Sequence, residues 1–167
     1  MNKQNIILIG MPGAGKSSVG VILAMVLGYE FIDTDLVIQH REKRLLREII
    51  ADEGNEGFLA IENEVNATLE ADKSVIAPGG SAINGKEAME HFKEIGTIVY
   101  LKLSYEDLAK RLGNLKGRGV VLKEGQTLKD HYDERSKIYE QNAEFTVDES
   151  GRDIQGTILA LREQIGM

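Results

Sequence analysis

The sequence contains no cysteine and only three histidines, His40, His91 and His131. Disulfide bonds, thiolate catalysis and cysteine-ligated zinc or iron–sulfur centres are therefore excluded, and the histidines show no spacing typical of a metal site. Long apolar runs are also absent, because the longest, residues 19–28, is about half the length that spans a membrane. The amino terminus lacks the features of a signal peptide. We therefore expect a cytoplasmic protein with no membrane partner.

The excess of acidic residues limits the classes of partner. The chain of 167 residues carries 27 aspartates and glutamates against 20 lysines and arginines, which gives a net charge of −7. Proteins that bind nucleic acids need a positive surface, so we expect no nucleic-acid partner. A small anionic ligand remains compatible with this charge, since one local basic site is enough to bind it. The length and a hydrophobic content of 42% indicate one globular domain.

Short apolar segments alternate with segments of helical periodicity along the chain. This alternation predicts an α/β fold in which helices cover both faces of a parallel sheet. The long helical region between the second and third strands is expected to break at Gly54 and Gly57. The predicted strands are residues 5–10, 31–33, 74–77, 97–103 and 145–147, and the predicted helices are residues 16–27, 36–53, 57–70, 86–94, 105–112, 128–139 and 153–165.

The strongest local signal is a glycine-rich loop at residues 10–17, GMPGAGKS, which fits the pattern G-x-x-x-x-G-K-[ST]. It directly follows the first predicted strand and directly precedes the first predicted helix. Its glycines allow successive backbone N–H groups to point inward, and the positive end of the helix faces the same space. Lys16 then reaches the β- and γ-phosphates, and the Ser17 hydroxyl is a ligand for Mg²⁺. The sequence therefore predicts a site for a nucleoside triphosphate.

Two aspartates follow the second predicted strand, at the sheet edge where ligands of such folds bind. Asp33 and Asp35 are separated by one residue, so one of them can approach a metal while the other accepts a proton from an attacking hydroxyl. The alternative interpretation is structural. Asp35 precedes an apolar stretch and is a suitable N-cap for the helix that follows.

Three further features have both a structural and a functional interpretation. Gly79 and Gly80 form either a plain turn or a backbone floor that a small substrate approaches closely. Arg135 is either a solvated surface residue or a substrate ligand. Residues 110–129 contain six cations, one anion and four glycines, which is typical either of a solvated loop or of a basic lid over phosphates.

The sequence resembles the shikimate kinase family over essentially its whole length. The resemblance rests on seven segments: GMPGAGKSSVG at 10–20, LGYEFIDTDLVIQ at 27–39, GFLAIENEV at 57–65, SVIAPGGS at 74–81, TIVYLKLSYEDLAKRL at 97–112, GRGVVL at 117–122 and DERSKIYEQNAEFTVD at 133–148. It implies a three-layer P-loop kinase fold with a five-stranded parallel sheet flanked by helices. Within a single kinase domain, residues 1–167, it implies an acceptor-binding helical region at 34–70 and a mobile lid at 113–126.

The resemblance also implies a reaction and roles for individual residues. The reaction is transfer of the γ-phosphoryl group of ATP to a hydroxyl of a small metabolite, which yields ADP and belongs to aromatic amino acid biosynthesis. The implied catalytic residues are Lys16, Asp35 and Arg118. The implied Mg²⁺ ligands are Ser17 and, through water, Asp33. The implied ATP-binding residues are Gly13, Ala14, Gly15, Lys16, Ser17, Ser18, Arg111, Arg118 and Arg152. The implied acceptor-binding residues are Asp35, Gly79, Gly80, Ser81 and Arg135.

Departures from the family pattern concern the acceptor side and the lid. Leu59 stands where the family has an arginine that grips the substrate carboxylate, while Glu62, three residues later, is retained. Ser81 replaces the third glycine of the floor. In the lid, Arg118 is followed by Gly119 instead of proline. We expect an unaltered nucleotide site and an altered acceptor pocket, with weak or absent activity on shikimate and a high KM.

Several alternatives remain at the level of sequence. The acceptor is shikimate or another small hydroxylated metabolite such as a sugar acid or a hydroxy amino acid, and a non-catalytic ATP-binding module is a further alternative. A nucleoside monophosphate kinase is disfavoured because no arginine occurs between Gly54 and Lys110. We expect a monomer. The uncharged helix after Lys16, which includes Val21 and Met25, is either deeply covered or a patch for weak self-association.

Overall fold

A computed structural model describes residues 4–113 and 124–167 of the chain. Its centre is one sheet of five parallel strands in the spatial order β2-β3-β1-β4-β5. The predicted parallel sheet is thereby confirmed. The strands are β1 (Asn5–Ile9), β2 (Glu30–Asp33), β3 (Ser74–Ala77), β4 (Gly96–Lys102) and β5 (Phe145–Asp148).

Helices connect the strands and cover both faces of the sheet. In the described residues they are α1 (Lys16–Leu27), α2 (Thr34–Glu42), α3 (Leu46–Ala67), α4 (Lys86–Ile95), α5 (Tyr105–Gly113), α6 (Leu128–Asn142) and α7 (Ile154–Ile165), together with a short 3₁₀ segment, Gly80–Asn84. None of the helices in these residues is both long and apolar enough to cross a membrane.

The three central strands, β1, β3 and β4, are largely buried on both faces because their side chains alternate between two cores. In β1, Ile7 and Ile9 pack in one core with α4, α5 and α6, whereas Ile6 and Leu8 pack in the other with α1 and α7. All five residues of β1 are buried. This two-sided burial explains why the strands appear in the sequence as continuous apolar runs and not as alternating patterns.

The helical region between β2 and β3 breaks at a different place from the one predicted. The chain leaves α2 at Lys43, which adopts a left-handed conformation with φ of 54°, and the Glu48 side chain accepts a hydrogen bond from the Leu45 N–H where α3 begins. The prediction of one helix over 36–53 is therefore wrong. The predicted break at Gly54 is present as a kink, with φ of 73°, whereas Gly57 lies within the helix.

Helix α1 is only half covered. Val19, Leu23 and Ala24 face the sheet and are buried, but the opposite face is apolar and exposed, with Met25 at 77% exposure. The interpretation of α1 as a deeply covered helix is therefore wrong. The exposed apolar residues of this face are Val21, Ile22, Met25 and Val26. The expectation of a monomer stays a prediction.

One polar side chain joins three segments at the amino-terminal edge of the sheet. Asn5 Nδ2 donates hydrogen bonds to the carbonyls of Ala71 and Ile95, at 2.9 and 3.0 Å. Asn5 Oδ1 accepts a third from the Ser74 N–H at 3.0 Å. The residues that lead into β3 and β4 are thus attached to the start of β1, and the buried amide is fully satisfied.

We predict that Leu23→Ala destabilises the fold far more than Val21→Ala on the same helix. Leu23 is fully buried against the sheet, so its truncation costs about 2–5 kcal/mol through lost burial and a residual cavity. Val21 is 41% exposed, and its truncation should change stability by no more than about 0.5 kcal/mol. Urea denaturation measures both free energies of unfolding. Equal losses in the two variants would contradict the assignment of the α1 faces.

Candidate functional site

The glycine-rich loop lies between β1 and α1 at the carboxyl end of the sheet. Gly13 and Gly15 have φ of 89° and 79°, which are left-handed conformations that side chains rarely adopt. The Ala14 N–H donates to the Met11 carbonyl at 3.0 Å and closes the turn. The loop thus places the amino terminus of α1 towards the space above the sheet, as predicted for a phosphate site.

Lys16 lies within this loop and is surrounded by acidic groups. Its Nζ donates to the carbonyls of Gly10 and Met11 at 2.8 and 3.0 Å. Burial lowers the pKa of Lys16 to about 8, and the nearby carboxylates of Asp35, Glu149 and Asp33 oppose this shift. Three carboxylates from two different segments therefore lie close enough to act electrostatically on the lysine.

The two aspartates after β2 have different structural roles. Asp33 is the N-cap of α2, because its Oδ1 accepts a hydrogen bond from the Asp35 N–H at 2.9 Å. The alternative interpretation of Asp35 as the N-cap is therefore wrong. Asp35 lies in the first turn of α2, where burial and then the charge of Asp33 raise its pKa, while Lys16 lowers it. Its carboxylate is left to face the interior of the site.

Gly79 and Gly80 lie between the glycine-rich loop and the carboxylates of Asp35 and Glu62. A Cβ on Gly80 would stand 2.7 Å from Cδ of Pro12 in the glycine-rich loop, so only glycine fits there. The Gly80 carbonyl accepts hydrogen bonds from Nη1 of Arg135 and from the Tyr139 hydroxyl, the latter at 2.8 Å. The Arg135 guanidinium is thus fixed beside this segment by α6.

Two carboxylates flank Gly79 on the other side. A Cβ there would stand 3.1 Å from Oδ1 of Asp35 and 3.1 Å from Oε2 of Glu62. Glu62 is 2% exposed, and its Oε1 accepts a hydrogen bond from the Ser81 hydroxyl at 2.7 Å. Burial raises the pKa of Glu62 to about 7. Leu59, half-buried, precedes Glu62 by three residues, so both lie on one side of α3.

The structure describes two of the three predicted nucleotide-binding arginines, Arg111 and Arg152. Arg111 Nη1 donates to the Gly13 carbonyl at 2.9 Å, so α5 delivers this side chain to the glycine-rich loop. Arg152 is exposed in the turn after β5. Arg118 and most of the predicted lid at 113–126 lie outside the described residues. Ser17 and Ser18 are exposed in the first turn of α1.

Sequence reasoning missed two residues of the site. Glu149 follows β5 and is 7% exposed, and burial raises its pKa to about 7, opposed first by Arg111 and then by Lys16. Tyr139 is fully buried and supports the Gly80 carbonyl. Glu149 follows the carboxyl end of a strand, and this position is a usable signal for a ligand site. Tyr139 forms the pattern R-x-x-x-Y with Arg135 in the segment 133–148 that carries the family resemblance, but the pattern alone gives Tyr139 no role.

Comparison with known proteins identifies the family to which this site belongs. The sequence profile of the family described as "Shikimate kinase" matches residues 12–165. The chain belongs to the shikimate kinase family. The "Shikimate kinase 2" of Yersinia enterocolitica is 34% identical over 154 residues, which cover 87% of this chain and 86% of that relative.

The fold of the family is also shared. Shikimate kinase from Acinetobacter baumannii, solved in complex with shikimate, has a TM-score of 0.82 and 32% identity and covers 99% of this chain and 94% of its own. Shikimate kinase from Aquifex aeolicus has a TM-score of 0.79 and 28% identity, with coverages of 97% and 96%. The P-loop kinase fold is thereby confirmed, and the chain is an ATP-dependent small-molecule kinase. The comparisons do not favour a non-catalytic ATP-binding module.

We predict that Glu149→Gln lowers the KM for ATP above pH 7 by about two- to tenfold. The ionised Glu149 carboxylate lies near Lys16 and repels the phosphates of ATP, and the amide removes this charge. Because its pKa is raised to about 7, the carboxylate is neutral at lower pH, and the two proteins should converge below about pH 6. Steady-state kinetics from about pH 5.5 to 8.5 measure the difference, with Glu163→Gln as the control. A KM for ATP that rises on substitution would show that Glu149 supports Lys16 and does not oppose the nucleotide.

Proposed function

We propose that this kinase phosphorylates a hydroxyl of shikimate or of a closely similar ring acid, with ATP as the phosphoryl donor. The observation that carries the proposal is the position of Gly79 and Gly80, which contact the glycine-rich loop on one side and the carboxylates of Asp35 and Glu62 on the other. An acceptor lying on this segment stands between the phosphate site and Arg135. The relatives named shikimate kinase support the same acceptor and a role in aromatic amino acid biosynthesis.

Asp35 is proposed to act on the accepting hydroxyl. Its carboxylate faces the acceptor floor beside Gly79, and its pKa is raised mainly by burial. A carboxylate in this position accepts a hydrogen bond from the acceptor hydroxyl and thereby directs a lone pair of the hydroxyl oxygen at the γ-phosphorus. As the new ester forms, the carboxylate takes up the proton of the hydroxyl. Products are ADP and the phosphate ester of the acceptor.

The nucleotide is proposed to bind along the glycine-rich loop. Backbone N–H groups at the amino terminus of α1 and the Lys16 ammonium are proposed to face the phosphates. Arg111 and Arg152 are proposed to lie near the adenine. Arg118 is proposed to close on the phosphates from the lid and to exclude water. The loop residues assigned to ATP are Gly13, Ala14, Gly15, Lys16, Ser17 and Ser18.

The donor set next to this loop fits a magnesium ion. The Ser17 hydroxyl and the Asp33 carboxylate are hard oxygen ligands of the type that Mg²⁺ takes together with phosphate oxygens, and Asp33 lies near enough to Lys16 to influence its pKa. When bound, Mg²⁺ neutralises negative charge on the β- and γ-phosphates. We propose that Ser17 holds the ion directly and that Asp33 holds it through water.

The acceptor is proposed to lie on Gly79, Gly80 and Ser81, with its carboxylate on Arg135. We assign the carboxylate to Arg135 because this guanidinium contacts the Gly80 carbonyl and Leu59 occupies the other expected arginine position. A single guanidinium holds a carboxylate less tightly than two do. We therefore expect a high KM for shikimate, and we propose that the enzyme acts as a monomeric single domain.

We predict that Asp35→Asn retains ATP affinity within about threefold but abolishes phosphoryl transfer. The amide keeps the shape of the side chain and loses the ability to accept the proton of the hydroxyl. A coupled ADP-release assay compares shikimate with other hydroxy acids, sugar acids and hydroxy amino acids, and includes a reaction with ATP alone. Shikimate or a similar ring acid should give the largest release above that blank in the native protein.

Two outcomes of this assay would contradict the proposal. ADP release equal to the ATP-only blank with every acceptor would remove the kinase assignment. A native kcat for transfer in Asp35→Asn, with only ATP affinity reduced, would remove Asp35 from the acceptor site. Asp153→Asn, which changes a carboxylate that caps α7, is the matched control and should retain acceptor turnover.

We further predict that Leu59→Arg lowers the KM for shikimate by about 10- to 150-fold. A second guanidinium adds a charged hydrogen bond to the acceptor carboxylate, worth about 1.5–3 kcal/mol. The KM for ATP should change little because Leu59 lies on α3, on the acceptor side of the site. Leu59→Met is the control for bulk without charge. An unchanged shikimate KM in Leu59→Arg would mean that another cation already holds the carboxylate.

A further inference from the structure

Glu62 is the buried ionisable group of the acceptor site that the proposed reaction does not use. Its side chain is almost fully buried, with 2% exposure. Ser81 donates a hydrogen bond of 2.7 Å to Oε1, but Oε2 has no hydrogen-bond partner among the described residues. This free oxygen lies on the same side of Gly79 as Oδ1 of Asp35. A buried oxygen without a hydrogen-bond partner costs free energy of desolvation. Its position beside Gly79 would allow a ligand bound there to supply the missing hydrogen bond.

The groups that face Glu62 come from four segments. Asp35 of α2 raises the pKa of Glu62 and Arg135 of α6 lowers it, and the Ser81 hydroxyl stabilises its ionised form. Tyr139 of α6, whose own pKa Glu62 raises, completes the set. Leu59, one turn earlier on α3, contributes no charge. Among these groups Arg135 is the cation, and it opposes the effect of the Asp35 carboxylate on Glu62.

We propose that Glu62 selects the acceptor by charge, that its free Oε2 contacts the bound acceptor, and that Ser81 is the residue that positions this carboxylate. The proposal rests on the proposed function, because it takes the acceptor to lie on Gly79 with a carboxylate on Arg135. Since Arg135 and Glu62 interact electrostatically, a carboxylate on Arg135 also lies within the field of Glu62.

The charge state of Glu62 decides what it does to such a ligand. When neutral, Glu62 donates a hydrogen bond to an acceptor carboxylate or accepts one from a hydroxyl. When ionised, it repels the carboxylate and favours an uncharged group that donates a hydrogen bond, such as an amide. Burial raises the pKa of Glu62 to about 7, so both states are populated near neutral pH. The enzyme should therefore prefer an anionic acceptor at low pH and lose this preference as pH rises.

The test compares shikimate with its carboxamide from pH 6 to 8.5. The two compounds share the ring and hydroxyls, and only shikimate carries the negative charge. We expect the ratio of the shikimate KM to the carboxamide KM to rise about five- to thirtyfold through pH 7, with the kcat ratio nearly constant. Effects of Lys16, Asp35 and Glu149 on ATP or on transfer cancel in this ratio because they are common to both acceptors.

Three variants assign the effect to Glu62. Glu62→Gln keeps the shape of the side chain without a titratable charge, so the KM ratio should be independent of pH. In Ser81→Ala the hydrogen bond that stabilises the ionised form is lost, so the midpoint of the change should move to higher pH. Glu64→Gln, on the exposed face of the same helix, is the control and should reproduce the native profile.

Calorimetric binding of shikimate and the carboxamide, without ATP, measures the same ratio as dissociation constants. The proposal is therefore tested even when no phosphoryl transfer occurs, which would count against the proposed function alone. A native ratio that does not vary with pH would overturn the role of Glu62. A Glu62→Gln variant that retains the native pH dependence would overturn it equally, and a Ser81→Ala profile identical to the native one would remove the positioning role of Ser81.

Discussion

The carbonyl of Gly80 accepts two hydrogen bonds from α6, and its α-carbon lies against Pro12 with no space for a side chain. This close approach joins three parts of the chain that are far apart in sequence: the glycine-rich loop, the segment after β3 and helix α6. The position of Arg135 depends on it directly. The distance between the phosphate site and the acceptor floor depends on it as well, because Gly79 presents the same segment to Asp35 and Glu62. Catalysis by proximity requires that this distance be fixed before the substrates arrive.

The site collects negative charge although ATP and the proposed acceptor are both anions. Asp35, Glu62 and Glu149 all have raised pKa values, and burial is the largest cause in each case. Lys16 is the opposite case, since burial lowers its pKa to about 8. Each of these groups is therefore closer to neutral than it is in water. For the three carboxylates this reduces the repulsion of anions, whereas for Lys16 it weakens the attraction of phosphate, and both effects make the site sensitive to pH. The amino terminus of α1 and its backbone N–H groups are also suited to bind anions, and they do not titrate.

The parts that local sequence determines could be predicted, and those that depend on distant contacts could not. The five strands are short apolar runs and the glycine-rich loop is a contiguous pattern, so both are visible in the sequence. The break at Lys43 could not be predicted because no local pattern marks a lysine in the left-handed conformation. Ion pairs of Arg44 with Asp52 and Glu53 of α3 connect the chain after this break to the next helix. The pairing of Ser81 with Glu62 spans 19 residues, and only the packing of α3 against the segment after β3 brings the two together. The two departures from the family pattern in the acceptor pocket, Leu59 and Ser81, are visible in the sequence. The sequence does not show that the Ser81 hydroxyl donates a hydrogen bond to Glu62.

The amide of Asn5 has a mechanical consequence. It attaches the starts of three adjacent strands, β3, β1 and β4, to one another at the end of the sheet opposite the site. The pairing of the strands continues to their carboxyl ends, where Ile9 of β1 lies opposite Tyr100 of β4. The side chain that fixes where these strands begin therefore also fixes where β1 and β3 end, and with them the points at which the glycine-rich loop and the Gly79–Gly80 segment leave the sheet.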